Sequence, residues 1–323
     1  MRLHENPELF SAAIVAASRP VSEGGLGIKD IFIEKDYWIT RSLQMLSMVD
    51  TEGKAVFKGG TSLSKAYGIG ARFSEDIDIA ILDANSMNGN QLKNLVKKTS
   101  KGMASGLEEI VIPGATSKGS HYHKAFYRYP RIVATEQVGA IKAGQILVEI
   151  SAFGNPYPYE RRTLRSFLTD FFIKIGQESL IYEYEMQQFE ISVLDKRRTL
   201  TEKLVSLIRA SLADNYISSM TEKIRHFYDL HYLLQNDEIK EYVGSEQFRT
   251  DFHVLLQEDQ QLFVQPIGWQ EKSITDSPLL KDLQGVWRGL HNVYRKELPD
   301  LAYRPIPSIE EIQIGVSEII KCL

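Results

Sequence analysis

The chain has 323 residues, 43% of them hydrophobic, enough for one large or two ordinary domains with a sizeable core. A net charge of −4 and a pI near 6.0 exclude a global basic field, so any nucleic-acid site has to be a local patch. The single cysteine, Cys322, excludes a disulfide framework and a thiolate metal site and fits a reducing cytoplasm.

Near the N-terminus the apolar run Leu9 to Ala17 is short and follows Glu5 and Glu8 rather than basic residues, so it reads as an amphipathic or core helix, not a leader. No apolar run approaches the roughly 20 residues that cross a bilayer, and no membrane association is expected. Helical spacing continues through Ile28, Ile31, Phe32, Trp38, Ile39, Leu43, Leu46 and Met48, and encloses the polar run Glu34-Lys35-Asp36-Tyr37.

Residues 57 to 81, FKGGTSLSKAYGIGARFSEDIDIAI, are the most informative stretch. A short apolar run (Ala55 to Phe57) leads into Gly59 and Gly60, then a helix-like segment from Thr61 to Tyr67, where bare backbone lets phosphates approach a helix N-terminus. In the strand that follows, Asp76 and Asp78 share one face while Ile77, Ile79 and Ile81 share the other. Two carboxylates held that close repel, a cost relieved by a divalent cation such as Mg²⁺, which also brings a triphosphate. A solvated turn or helix cap is the structural alternative for Asp-x-Asp alone; the preceding Gly-Gly turn favours the metal reading.

Farther on, a helix is expected around Asn90 to Gly106, with Lys93, Lys97 and Lys101 on a solvated face, then strands at Glu109 to Ile112, Tyr122 to Tyr129 and Gln145 to Ser151. Glu149 sits inside the last of these, a candidate third metal ligand or general base. His121 and His123 have strand spacing but no third ligand for zinc. Asn155-Pro156-Tyr157-Pro158 breaks the pattern, and from about Leu194 long helices take over, with Asp195 as a cap for a helix reaching Ala210. Arg161, Arg162 and Arg165, and Lys196 to Arg198, are basic clusters able to meet a phosphate backbone. Lys203 stands before an apolar face of Leu204, Leu207 and Ile208, while Arg225 and Asp229 have the spacing of an intrahelical ion pair.

The ordered motifs Glu34-Lys35-Asp36-Tyr37, Phe57-Lys58-Gly59-Gly60-Thr61-Ser62-Leu63, Arg72-Phe73-Ser74-Glu75-Asp76-Ile77-Asp78, Glu202-Lys203-Leu204 and Arg225-His226-Phe227-Tyr228-Asp229-Leu230 closely resemble the AbiEii/AbiGii toxin family, related to the mycobacterial MenT toxins. The matches run from about residue 30 to 234; the final ninety residues carry no motif. The resemblance implies an α/β (α+β) fold, a mixed-sheet nucleotidyltransferase core over residues 1–175 with a mainly helical region over 176–323. It implies a Mg²⁺-dependent nucleotidyltransferase that moves NMP from an NTP to an acceptor, the 3′ end of tRNA foremost, as the toxin of a toxin–antitoxin or abortive-infection system in phage defence. A cognate antitoxin would be its partner in the cytoplasm. Carried over by motif, Ser74, Asp76, Asp78, Lys203 and Asp229 are catalytic, Asp76 and Asp78 hold metal, and Gly59, Gly60, Thr61, Ser62 and Lys203 bind nucleotide. The base is Glu149 or Asp229. The alternatives are a catalytically weak nucleotide- or RNA-binding regulator, and a phosphotransferase acting on protein or a small molecule.

Overall fold

The computed structural model describes Met1–Leu323 and divides the chain into two compact units, Met1–Ala66 with Phe73–Leu194, and Tyr67–Arg72 with Asp195–Leu323. In the first unit the order is α1 (Pro7–Ser18), α2 (Asp30–Val49), β1 (Ala55–Lys58), α3 (Gly59–Tyr67), β2 (Asp76–Ile81), α4 (Gly89–Met103), β3 (Glu108–Ile110), β4 (Ser117–Lys118), β5 (Tyr122–Arg128), β6 (Gln137–Val138), β7 (Ile141–Lys142), β8 (Gln145–Ser151), β9 (Tyr159–Leu164), α5 (Phe167–Lys174), α6 (Glu178–Glu183) and β10 (Phe189–Leu194), with the last residue of α3 assigned to the second unit. The fold class is the expected mixed α/β one. The main sheet runs β3-β5-β8-β2-β1-β10-β9, with β4 beside β5; β6 and β7 form a separate hairpin.

At the centre, β2 pairs antiparallel with β1 and parallel with β8, while β1 pairs parallel with β10. Register sorts the side chains. Ile77, Ile79, Phe57, Val148 and Ile150 are fully buried on the face covered by α2 and α4. Asp76, Asp78, Lys58 and Glu149 occupy the other face, since Lys58 and Glu149 are the register partners of Asp78. The expected domain break at residue 175 falls inside this unit, because β10 is an inner strand and extends it to Leu194.

α2 is unusual in burying Glu34, Lys35 and Asp36 along with its apolar residues. Glu34 Oε1 accepts the Ile132 amide at 2.6 Å, whereas Oε2 is buried without a partner. Burial therefore pushes its carboxyl up to about 7, against the pull of the backbone amides of Ile132 and Val133.

The second unit contains α7 (Lys196–Ser211), α8 (Tyr216–Thr221), α9 (Ile224–Leu233), α10 (Asp237–Val243), α11 (Glu246–Leu262), α12 (Pro278–Lys281), α13 (Leu283–Leu301) and α14 (Ile309–Ile320). α7 begins where Asp195 accepts the Arg197 amide at 2.7 Å, as its capping position predicts, and it packs against α8, α9 and α11. No helix in either unit is long and apolar enough to cross a membrane.

The raised Glu34 carboxyl has a thermodynamic signature. The folded state holds the proton more tightly than the unfolded chain, so stability falls as pH rises through the window from about 4.5 to about 7 and levels off above it. Glu34→Gln keeps the oxygen that accepts the Ile132 amide and removes the titration. Its melting temperature should gain on the wild type across that window, as measured by calorimetry at a series of pH values; parallel curves for the two proteins would contradict the assignment.

Candidate active site

Gly59 sets the geometry of the site. Its φ is +81°, a conformation that a side chain strains, and a Cβ built on it would lie 2.1 Å from Oδ2 of Asp78. Only a bare Cα allows the chain to turn from β1 into α3 this close to the carboxylate. Thr61 then donates its hydroxyl to the backbone carbonyl of Asp76 at 2.6 Å, and Ser62 donates to the carbonyl of Gly59 at 2.9 Å. Both hydroxyls are buried. They fix the glycine turn against the start of β2, so of the four expected nucleotide-binding residues in this turn, Gly59 and Gly60 supply close backbone and Thr61 and Ser62 hold its shape. Ser74 is buried just ahead of the strand.

Asp76 and Asp78 lie in the first half of β2, both half-buried and on one face. No cluster of three or more His, Cys, Asp or Glu side chains is arranged to hold a metal. A pair fits Mg²⁺ nonetheless, because that ion is ordinarily held by one or two carboxylates while substrate phosphates and water complete its shell. Glu149, in register with Asp78 on the next strand, is bound by Lys124 at 2.6 Å. Tyr122 also hydrogen-bonds Glu149; burial first, then the Glu149, Asp78 and Asp76 charges, push its phenol well above the usual range. Glu149 is thus engaged by a cation and a phenol. Sequence reading missed both partners, although Tyr122 and Lys124 stand two apart on β5, the spacing that puts them on one face.

The second unit gathers the other motif residues. Asp229, on α9, is gripped at both oxygens by Arg72, with bonds of 2.8 and 2.7 Å, and pairs with Lys203 of α7 at 2.7 Å. Ala71 donates its amide to the Tyr228 hydroxyl at 3.0 Å, and the Tyr303 amide donates to the Ala71 carbonyl at 2.9 Å, which seats Arg72 beside α9. Burial alone would raise the Asp229 carboxyl, but Arg72 and then Lys203 overcome it and hold it well below the usual carboxylate range. So strongly held a carboxylate is a poor proton acceptor, and Asp229 acts here as the anchor of Lys203. The expected intrahelical pair gives way to these partners. His226 lies beside them, half-buried; burial first, then Lys203, keep its imidazole far below its ordinary value and neutral. Arg72 belongs to the motif that precedes Asp76, but its partner lies 157 residues away, beyond the reach of local spacing.

The basic clusters are largely balanced. Arg165 pairs with Asp170 at 2.5 Å, Lys196 with Glu238 at 2.5 Å, Arg197 with Asp195 at 2.7 Å and Arg198 with Glu258 at 3.2 Å, while Arg161 donates to the Glu190 carbonyl.

The family described as nucleotidyl transferase AbiEii toxin, type IV toxin–antitoxin system, matches residues 41–312. The chain belongs to the AbiEii family. It is accordingly a nucleotidyltransferase of the toxin class. Its fold is similar to that of MenT4, a nucleotidyltransferase toxin from Mycobacterium tuberculosis, with a TM-score of 0.51 at 16% identity over 95% of this chain and 93% of that one. JHP933 from Helicobacter pylori aligns with a TM-score of 0.29 at 15% identity over 81% of this chain and 93% of its own, too little to bear on the fold. No curated protein matches the chain at significance.

For this AbiEii protein the carboxylate pair should be functional rather than structural. Asp76→Asn and Asp78→Asn should each lower nucleotide transfer by about 10²-fold or more. Their melting temperatures should stay within about 4 °C of the wild type, since neither side chain fills the core. Full transfer in both variants, followed with a labelled triphosphate, would remove the pair from the chemistry.

Proposed function

We propose that the protein transfers a nucleoside monophosphate from a triphosphate to the hydroxyl of an RNA acceptor, the 3′ end of tRNA being the first candidate, in a Mg²⁺-dependent reaction. The observation that carries the proposal is Asp76 and Asp78 on one face of β2, with the Oδ2 of Asp78 against the bare Cα of Gly59 at the start of α3, inside a chain of the AbiEii family. Backbone at that turn can approach phosphate oxygens, and the helix start favours their charge. A divalent cation between these carboxylates and the triphosphate would polarise the α-phosphate and offset charge as pyrophosphate leaves. Asp76 and Asp78 orient that assembly, and the Thr61 hydroxyl keeps Asp76 in place relative to the turn.

Lys203 is the cation we assign to the departing pyrophosphate, on the strength of its motif. Arg72 and Asp229 fix where its ammonium can point. Neither candidate base is free: Glu149 is held by Lys124, and Asp229 by Arg72 and Lys203. We assign proton acceptance to neither. Action on RNA with a cellular triphosphate would fit the cytoplasm, and membership of a toxin–antitoxin family supports a cognate antitoxin as partner.

The test incubates the protein with total RNA and each of the four triphosphates with Mg²⁺, followed by mass spectrometry of RNA and protein and by assay of the released phosphate product. Added nucleotide residues on tRNA 3′ ends with pyrophosphate release are expected. Nucleoside diphosphate release with a phosphorylated acceptor would instead establish a phosphotransferase, and binding without any product a regulator.

A further inference from the structure

On α2, Lys35 and Asp36 are adjacent charged residues buried to 1% and 2% exposure, and the role proposed above for the carboxylate pair makes no use of them. Successive helical residues point about 100° apart, so neighbours on one turn can serve two different elements. That is what they do. The Lys35 ammonium bonds the carboxylate of Glu75, the residue immediately before Asp76, and donates to the Lys142 carbonyl at 2.8 Å. Asp36 accepts from the ammonium of Lys65, on α3, at 2.5 Å through Oδ1, and from the Phe167 amide at 2.8 Å through Oδ2. The Thr61 hydroxyl, bonded to the Asp76 carbonyl at 2.6 Å, joins α3 directly to β2.

The three links close a triangle: α2 to β2 through Lys35 and Glu75, α2 to α3 through Asp36 and Lys65, and α3 to β2 through Thr61. Its interior edge carries Gly59 and Asp78, whose separation leaves no space for a single methyl group. Apolar packing alone is tolerant of small shifts, whereas an ion pair with defined hydrogen bonds fixes direction. Buried ion pairs rarely stabilise a fold more than apolar residues of the same size would. Misplacement of reacting groups by about 1 Å, by contrast, can cost about 10²-fold in rate.

We propose that Lys35 and Asp36 are positioning residues for nucleotide transfer: their buried ion pairs with Glu75 and Lys65 set the distance between the glycine turn of α3 and the Asp76–Asp78 strand. This rests on the function proposed above only for its consequence in turnover; the mechanical role is a property of the first unit itself. Neither Lys35 nor Asp36 is assigned contact with substrate.

The experiment uses the full chain with two paired substitutions, Lys35→Met with Glu75→Gln, and Asp36→Asn with Lys65→Met, each of which leaves no buried charge without a counterpart. Amide hydrogen exchange is read in residues 59–66 and 75–81 and, as internal reference, in 145–151 and 189–194. The expected result is exchange faster by about 10-fold or more in the first two segments, with the reference strands unchanged. In the same proteins kcat should fall by about 10-fold or more while the Kd for triphosphate moves by less than about 3-fold. Lys35→Arg, which keeps the charge, should leave exchange close to the wild type; should a paired variant fail to fold, Glu75→Gln alone carries the test, with faster exchange expected in 75–81 and the reference strands unchanged. Unchanged exchange in 59–66 and 75–81, or a uniform rise across all four segments, would overturn the positioning role. Failure of the wild-type protein to transfer any nucleotide would overturn the functional reading instead, and leaves the exchange result to decide the mechanical one.

Discussion

A glycine pressed against a carboxylate is the constraint on which the rest of this site depends. Gly59 adopts φ of +81° and leaves no room for a Cβ beside Asp78, so the end of β1, the start of α3 and the register of β2 are fixed together. From that contact follow the pairing of Lys58 with Asp78 across the two strands, the reach of the Thr61 hydroxyl to the Asp76 carbonyl, and the shared face of the two aspartates. The sheet contributes the complementary half. Isoleucines at alternate positions of β2 are fully buried under α2 and α4, which makes a one-residue slip impossible without exposing all of them and burying both carboxylates.

Charge in this protein is arranged in pairs rather than as a field. Arg72 and Lys203 converge on Asp229, Lys124 holds Glu149, and most of the surface arginines and lysines that a basic-patch reading singles out have carboxylate partners. Removing one member of a buried pair would strand the other at a cost of about 3–5 kcal/mol, so these networks hold side chains in one arrangement. Asp229 shows the consequence for chemistry: a carboxylate stabilised as an anion by two cations is well placed to orient Lys203 and badly placed to take a proton.

Much of the Asp76–Ile81 strand and its surroundings was legible because its signals are local. Alternation in Asp76 to Ile81, the glycine pair before a hydroxyl-rich helix start, and Asp195 as a cap are decided by residues within one turn or one strand, and each element appears within a few residues of its expected place. What could not be read depends on distant partners. β9, Tyr-Glu-Arg-Arg-Thr-Leu, has the polar composition of an edge strand, and β10 directly precedes the helix cap; both are strands because each pairs with the other and β10 also with β1. The burial of Glu34, Lys35 and Asp36 within an otherwise ordinary helical pattern depends on loops and helices up to 131 residues away, and the grip of Arg72 on Asp229 spans 157. Glu238 and Glu258, which pair with Lys196 and Arg198, lie 42 and 60 residues further along the chain.

The claim at the centre of this account is that Asp76 and Asp78 serve attack at the α-phosphate of a triphosphate. Parallel reactions with total RNA and triphosphates labelled either at the α- or at the γ-phosphate test it most directly. The α-label should enter the acceptor in the wild type and be lost from it in Asp78→Asn, with the γ-label released as pyrophosphate. Entry of the γ-label into the acceptor, or equal α-labelling by the wild type and the variant, would contradict it.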